Sequence, residues 1–107
     1  MTINGINWRI CFVRPNNPYL QRADGGYSLG CTDCTLCAIF IADDLPLRKT
    51  RDVICHELCH AMMFSHGFYI DEFEEEAFCK FCEYYADDIL HMTYGILNNL
   101  KKNNGSP

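Results

Sequence analysis

The chain has 107 residues, 49% hydrophobic and 13% aromatic, enough for one core and too short for a second domain. Its formal net charge is -5 and its nine Lys and Arg residues are scattered, so direct nucleic-acid binding is not expected. The apolar runs are short and broken by charge, so neither a transmembrane helix nor a membrane partner is expected. The opening "MTINGINWRICFV" lacks a basic n-region, an apolar h-region and a cleavage site. It reads as the start of a complete small gene product, and a cytosolic location is expected. Eight cysteines would suggest a disulfide framework in a secreted chain. Here metal ligation, redox chemistry or reduced core cysteines are the better readings.

In chain order, Asn7 to Val13 alternates, with Trp8, Ile10 and Phe12 on one side and Arg9 and Cys11 on the other, which predicts a strand. "RPNNP" is a turn, and "YLQRADGG" holds a short helical turn before Gly25-Gly26. A further strand is expected from Thr35 to Ala42, with Cys37, Ile39 and Ile41 facing one way and Leu36, Ala38 and Phe40 the other. A strand apolar on both faces should be covered on both. Asp43-Asp44 ahead of Pro46 signals a helix start. The helix is expected from about Leu47 to Ser65, stopping near Gly67; from Val53 to Phe64 it is apolar almost all round, with His56, Glu57 and His60 the polar exceptions, and should be buried. A second helix is expected from near Glu72, with Phe78, Cys82, Tyr85, Ile89 and Met92 on one stripe. It should break near Gly95 and continue to Lys102, leaving a tail, residues 103–107, that frays.

The first helix carries His56-Glu57-Leu58-Cys59-His60, an H-E-x-x-H pattern. In a helix His60 lies about 40° round from His56 and one turn along, so both imidazoles project to one side and can share a zinc. Glu57 sits beside that face, where it can take a proton from a zinc-bound water, the general-base role in peptide hydrolysis. Two core histidines and a buried glutamate with no partner would be a costly arrangement, which weighs against a purely structural reading.

The order strand, strand, helix with H-E-x-x-H, then a glutamate-rich helix resembles the small ImmA/IrrE-type zinc metallopeptidases, especially the compact phage and prophage members. The resemblance covers roughly residues 28 to 90, and the N-terminal part agrees in layout only. It implies an α+β, minimal zincin-like domain over residues 1–107, with a small antiparallel or mixed sheet, the H-E-x-x-H helix and a following antiparallel helix. It also implies one catalytic zinc, and a third ligand on the second helix ahead of an aromatic and a small residue. Glu75, Phe81 and Cys82 match that pattern, making the set gluzincin-like: His56, His60 and Glu75 as ligands and Glu57 as base. On a helical wheel Glu75 also falls nearest the apolar stripe, while Glu76 and Glu83 sit about 80–100° away. Glu76 is the runner-up and His66 the backup ligand. Fourteen residues lie between His60 and Glu75, which requires a tight helical hairpin.

Zinc held by two histidines and a carboxylate keeps a position for water. Tyr69, Tyr84, Tyr85 and His66 are candidate oxyanion donors. By family analogy the Thr35 to Ala42 strand is the edge that pairs with an extended peptide. The resemblance implies a protein substrate, such as a repressor or other regulatory protein, in the cytoplasm of a bacterial or phage-infected cell.

Two rival readings follow from the same residues. One is a non-enzymatic zincin-fold module that binds a partner in phage regulation or counter-defence; the retained Glu57 argues against it. The other is a cysteine-ligated metal or redox protein built on Cys31, Cys34 and Cys37, or on Cys79 and Cys82. If the first three lay in one strand, Cys31 and Cys37 would face one side and Cys34 the other, so one ion could not take all three. Cys55 and Cys59 read as core contacts of the buried helix. No cysteine is marked as paired with a histidine and a carboxylate for nucleophilic catalysis.

Overall fold

Three strands make the central sheet: β3 (Arg9–Val13), β4 (Gly30–Asp33) and β5 (Ala38–Ala42), in the order β3-β5-β4. The computed structural model describes the backbone of residues 1–67 and 75–105 and the side chains of residues 1–67 and 85–102. Within them it is an α+β domain with a second sheet, the hairpin of β1 (Thr2–Ile3) and β2 (Ile6–Asn7), and two helices, α1 (Leu47–Ser65) and α2 (Glu75–Gly105).

The β1–β2 hairpin turns on Asn4 and Gly5, whose φ values of 47° and 80° are the left-handed pair of a two-residue turn. Asn7 therefore belongs to β2, and the strand expected from Asn7 starts at Arg9 instead. Trp8 lies between the two strands and is 1% exposed. Its indole N–H donates to Ser65 Oγ at 2.9 Å, and its ring meets Phe64 edge-on. Asn4 Nδ2 donates to the Ser65 carbonyl at 2.9 Å, so the N-terminal hairpin is fastened to the end of α1.

β3 runs parallel to β5, and β4 runs antiparallel to it. β5 is buried at every position and on both faces, as its composition demands. Ile39 and Ile41 join the core under α1, whereas Ala38, Phe40 and Ala42 pack with Leu20 on the other side. Leu20 ends a short 3-10 helix, Pro18–Leu20, close to the helical turn expected there. Ile10 and Phe12 of β3 face the α1 side and Cys11 and Val13 the Leu20 side, the alternation read from the sequence.

Two expectations for β5 are corrected. The strand begins at Ala38 rather than Thr35, because residues 34–37 form the turn of the β4–β5 hairpin. Asp33 Oδ1 accepts from the N–H groups of both Thr35 and Leu36 at 2.9 Å, and Cys37 takes a left-handed φ of 51°. Second, β5 is the central strand, so it cannot offer an edge; the edge next to α1 is β4.

Helix α1 has the expected limits. Asp43 and Asp44 precede it without capping it: Pro46 is the cap residue, no side chain caps the first turn, and Thr50 Oγ1 returns to the Pro46 carbonyl. Gly67, with φ 78°, ends it. The helix is not buried all round. Ile54, Leu58, Ala61 and Met62 are in the core, but Phe64 is 42% exposed; of the polar exceptions His56 is exposed and Glu57 is buried.

Helix α2 packs on α1 through Tyr85, Ile89, Met92, Ile96 and Leu97. Tyr85 meets His66 at the end of α1, while Leu100 and Lys101 share a cavity with Leu47 and Thr50 at its start, so the helices are antiparallel. The expected start near Glu72 and the side chains of Phe78 and Cys82 lie outside the described residues. The expected break at Gly95 is absent, and the helix extends past Lys102 to Gly105. Gly95 is exposed, and a Cβ there would meet nothing within 4 Å, so packing on either side carries the helix through it. Gly95→Ala is therefore expected to raise stability by about 0.5–1 kcal/mol, read as a rise of a few degrees in Tm. A fall would show that Gly95 has a role beyond its place in the helix.

Candidate functional site

The H-E-x-x-H residues occupy the third and fourth turns of α1, on the flank between the sheet and α2. His56 Nε2 and His60 Nε2 stand 3.2 Å apart, with ring centroids separated by 4.9 Å and planes at 75°. Without a metal this is also the spacing of an N–H···N hydrogen bond, given the right tautomers. Two zinc–imidazole bonds of ordinary length at a tetrahedral angle put the nitrogens about 3.3 Å apart. The pair is thus arranged as one bidentate donor, as the sequence spacing predicts.

Glu57, which lines the same groove as His56, reaches toward β4 and is 7% exposed. The Thr32 hydroxyl is 2.9 Å from Glu57 Oε1 and 3.0 Å from the Glu57 carbonyl; with one proton it donates to either. Gly30 is the reason the strand comes so close. A Cβ there would fall 2.6 Å from Val53 Cγ1, 3.0 Å from Glu57 Cγ and 3.3 Å from Glu57 Oε2. A side chain at Gly30 would therefore require Val53 to shift and Glu57 to give way. Sequence reasoning missed both Gly30 and Thr32. Nothing local marks them, and they acquire meaning only once the β4–β5 register is known.

A groove of about 460 Å³ opens beside Gly30, His56 and Glu57 and runs toward the start of α1, between Tyr27, Leu29 and Arg22 on one wall and Lys49, Asp52 and Val53 on the other. The edge of β4 borders it. Because the Ala42 N–H donates to the Leu29 carbonyl, hydrogen-bonded pairs alternate at Leu29, Cys31 and Asp33, so the N–H and C=O groups of Gly30 and Thr32 point away from β5.

Among the described residues no third His, Cys, Asp or Glu joins the two histidines. The side chains of Glu75, Glu76 and Glu83 lie outside them, as do Glu72 and Glu74. His66 is described: it caps α1, stacks on Tyr85 and has Nδ1 3.1 Å from the Tyr85 hydroxyl. It is about 9 Å beyond His60 along the axis and about 120° round the helix, so the backup ligand and Tyr85 stand together away from the histidine face. Tyr69 and the Tyr84 side chain are outside the described residues.

The cysteines divide between the faces of the sheet. Cys31 packs on the Leu20 side, whereas Cys34 and Cys37 pack on the α1 side, with Cys37 Sγ 3.6 Å from the Cys34 carbonyl. The turn thus puts Cys37 with Cys34, not with Cys31 as a continuous strand would. Burial pushes both the Cys31 and Cys34 thiols up; the charges of Glu57 and Asp33 add to this at Cys31, and Cys37, Asp33 and Cys31 add to it at Cys34. Cys55 and Cys59 pack against the main core, as expected. The side chains of Cys79 and Cys82 are outside the described residues.

Thr32→Val is expected to lower stability by about 1–3 kcal/mol, because it removes a hydrogen bond from a buried carboxylate; Thr32→Ser should recover most of it in urea unfolding. Equal stability of all three would show that the hydroxyl does not satisfy Glu57. No helix of the described residues is long and apolar enough to cross a membrane. Comparison of the chain with protein-family models, curated proteins and solved structures found no match.

Proposed function

We propose that the protein is a minimal zincin-like metallopeptidase that hydrolyses a peptide bond in a protein substrate. The observation that supports this best is the 3.2 Å convergence of His56 and His60 Nε2 beside a buried glutamate held from the opposite wall. The donor set suits zinc: two neutral imidazoles on one helix face, with Glu75 proposed as third ligand and Glu76 as its alternative. A zinc bound there would lower the pKa of water to about 7 and polarise the peptide carbonyl.

The chain's own residues do the rest. Glu57 accepts the proton of the attacking water and passes it to the leaving amine. Thr32 holds one carboxylate oxygen, leaving the other to turn toward the groove. The edge groups of Gly30 and Thr32 can pair with an extended peptide, which would then lie along the groove past His56. β4 takes the role first expected of the Thr35 to Ala42 strand. By its resemblance to ImmA/IrrE-type enzymes, we propose a regulatory protein such as a repressor as substrate, met in the cytoplasm of a bacterial or phage-infected cell. Glu57 weighs against a non-enzymatic module, since a metal site that only stabilises or binds needs no base.

Metal analysis of purified protein is expected to give about one zinc per chain. Glu57→Gln should keep the zinc and abolish cleavage of a susceptible protein; persistent cleavage would remove Glu57 from the mechanism. Two or more zincs, or iron, would point to the cysteines instead. Competition with a chelator should show Glu75→Ala weakening zinc about 10–100-fold or more and Glu76→Ala weakening it far less. The reverse order would transfer the ligand to Glu76.

A further inference from the structure

The groove continues well beyond the histidines, and its far end carries charge that the proposed hydrolysis does not use. Lys49 is two turns before His56 on the same face of α1, about 10 Å along the axis. It lines the groove, and among the described residues no ion pair engages its ammonium group. Arg22 faces it from the loop that leads to β4. The Arg22 Nε is 3.3 Å from Asp24 Oδ1, and Asp24 also accepts from the Gly26 N–H at 2.8 Å. Gly26 leaves room for the guanidinium: a Cβ there would fall 2.5 Å from Arg22 Nη2. The guanidinium is thus laid across the turn by Nε, and its terminal nitrogens remain for a ligand.

The anions nearby are already engaged. Asp52, on the Lys49 wall, is 3.3 Å from Arg51, and Asp24 holds Arg22. Glu57 is buried against Thr32. The same lining carries two exposed apolar side chains beside Ser28: Tyr27 is 45% exposed and Leu29 42% exposed. An aliphatic stem ending in a carboxylate matches this lining, with methylenes on Tyr27 and Leu29 and oxygens between Lys49 and Arg22.

We propose that this end of the groove is a subsite for a substrate carboxylate, which makes the substrate an acidic segment. The assignment rests on the peptidase reading above. About 10 Å of extended chain is three residues. A peptide paired with β4 then has the carboxylate about three residues from the cleaved bond, C-terminal to it if the peptide runs antiparallel to β4 and N-terminal to it if parallel. The carboxylate comes from a glutamate or aspartate side chain or, in the antiparallel case, from the end of the chain.

Fluorescence anisotropy at low ionic strength tests this without cleavage, using the Glu57→Gln variant. The probes are fluorescein-labelled neutral decapeptides with one glutamate moved through the sequence, glutamine controls, and free or amidated C-termini. Glutamate within a narrow window, or a free terminus, should tighten binding about fivefold, the scale of an exposed ion pair. Lys49→Ala with Arg22→Ala should erase the preference, and Lys49→Glu should transfer it to lysine-bearing peptides. Dependence on the free terminus alone assigns the subsite to a chain end; dependence on glutamate assigns it to a side chain. Equal binding of glutamate and glutamine peptides, or a glutamate preference that survives Lys49→Glu, would overturn the proposal. A preference without cleavage by the unmutated protein would remove the peptidase reading alone, and cleavage indifferent to the carboxylate would remove the subsite alone.

Discussion

The close approach of β4 to α1 at Gly30 is the contact on which the rest depends. With no side chain at Gly30, the strand comes so close that a Cβ there would fall 2.6 Å from Val53 Cγ1 and 3.0 Å from Glu57 Cγ. That brings the Thr32 hydroxyl to the Glu57 carboxylate and turns a buried acid, otherwise expensive, into a satisfied one. The same contact leaves His56 and His60 on the open flank and lays the β4 edge beside them. A larger residue at Gly30 would push the strand off the helix, and the acid, the histidines and the edge would lose their common groove.

The fold holds that contact from both ends. β5, buried on both faces, fixes β4 in register and thereby decides which of its residues face α1. At the other end Trp8 and Asn4 grip Ser65, tying the N-terminal hairpin to the last turn of α1. Helix α2 covers the side of α1 away from the groove, antiparallel to it, through Ile89 and Leu97. His56 is exposed and lines the groove with Gly30 and Glu57, whereas His60 is half-buried.

The helix with its H-E-x-x-H motif was legible from residue types, because helical periodicity, Pro46 and Gly67 all agree on the same limits. The two-faced burial of β5 was legible for a similar reason, a run apolar at every position. The Asn4-Gly5 turn was equally present in the sequence, but the strands around it are two residues each and too short to show a period. The start of β5 was misread because Leu36 and Cys37 extend its apolar alternation, while Asp33, which sets the turn, lies outside that run. Alternation cannot report strand order, so the edge rested on family analogy with the Thr35 to Ala42 strand, when it belongs to β4. Gly95 was given a breaker's weight that packing at Thr93 and Leu97 overrides. Thr32, Gly30 and Lys49 are the hardest kind of residue to find: ordinary types whose role comes from what the chain brings against them.

The central claim is that the two imidazoles hold one metal beside Glu57. Anomalous diffraction at the zinc edge from crystals of zinc-loaded protein tests it most directly. The account predicts a single peak about 2.0–2.1 Å from both Nε2 atoms, with a carboxylate oxygen of Glu75 or Glu76 completing the protein ligands. A peak at the cysteines with none between His56 and His60 would contradict it.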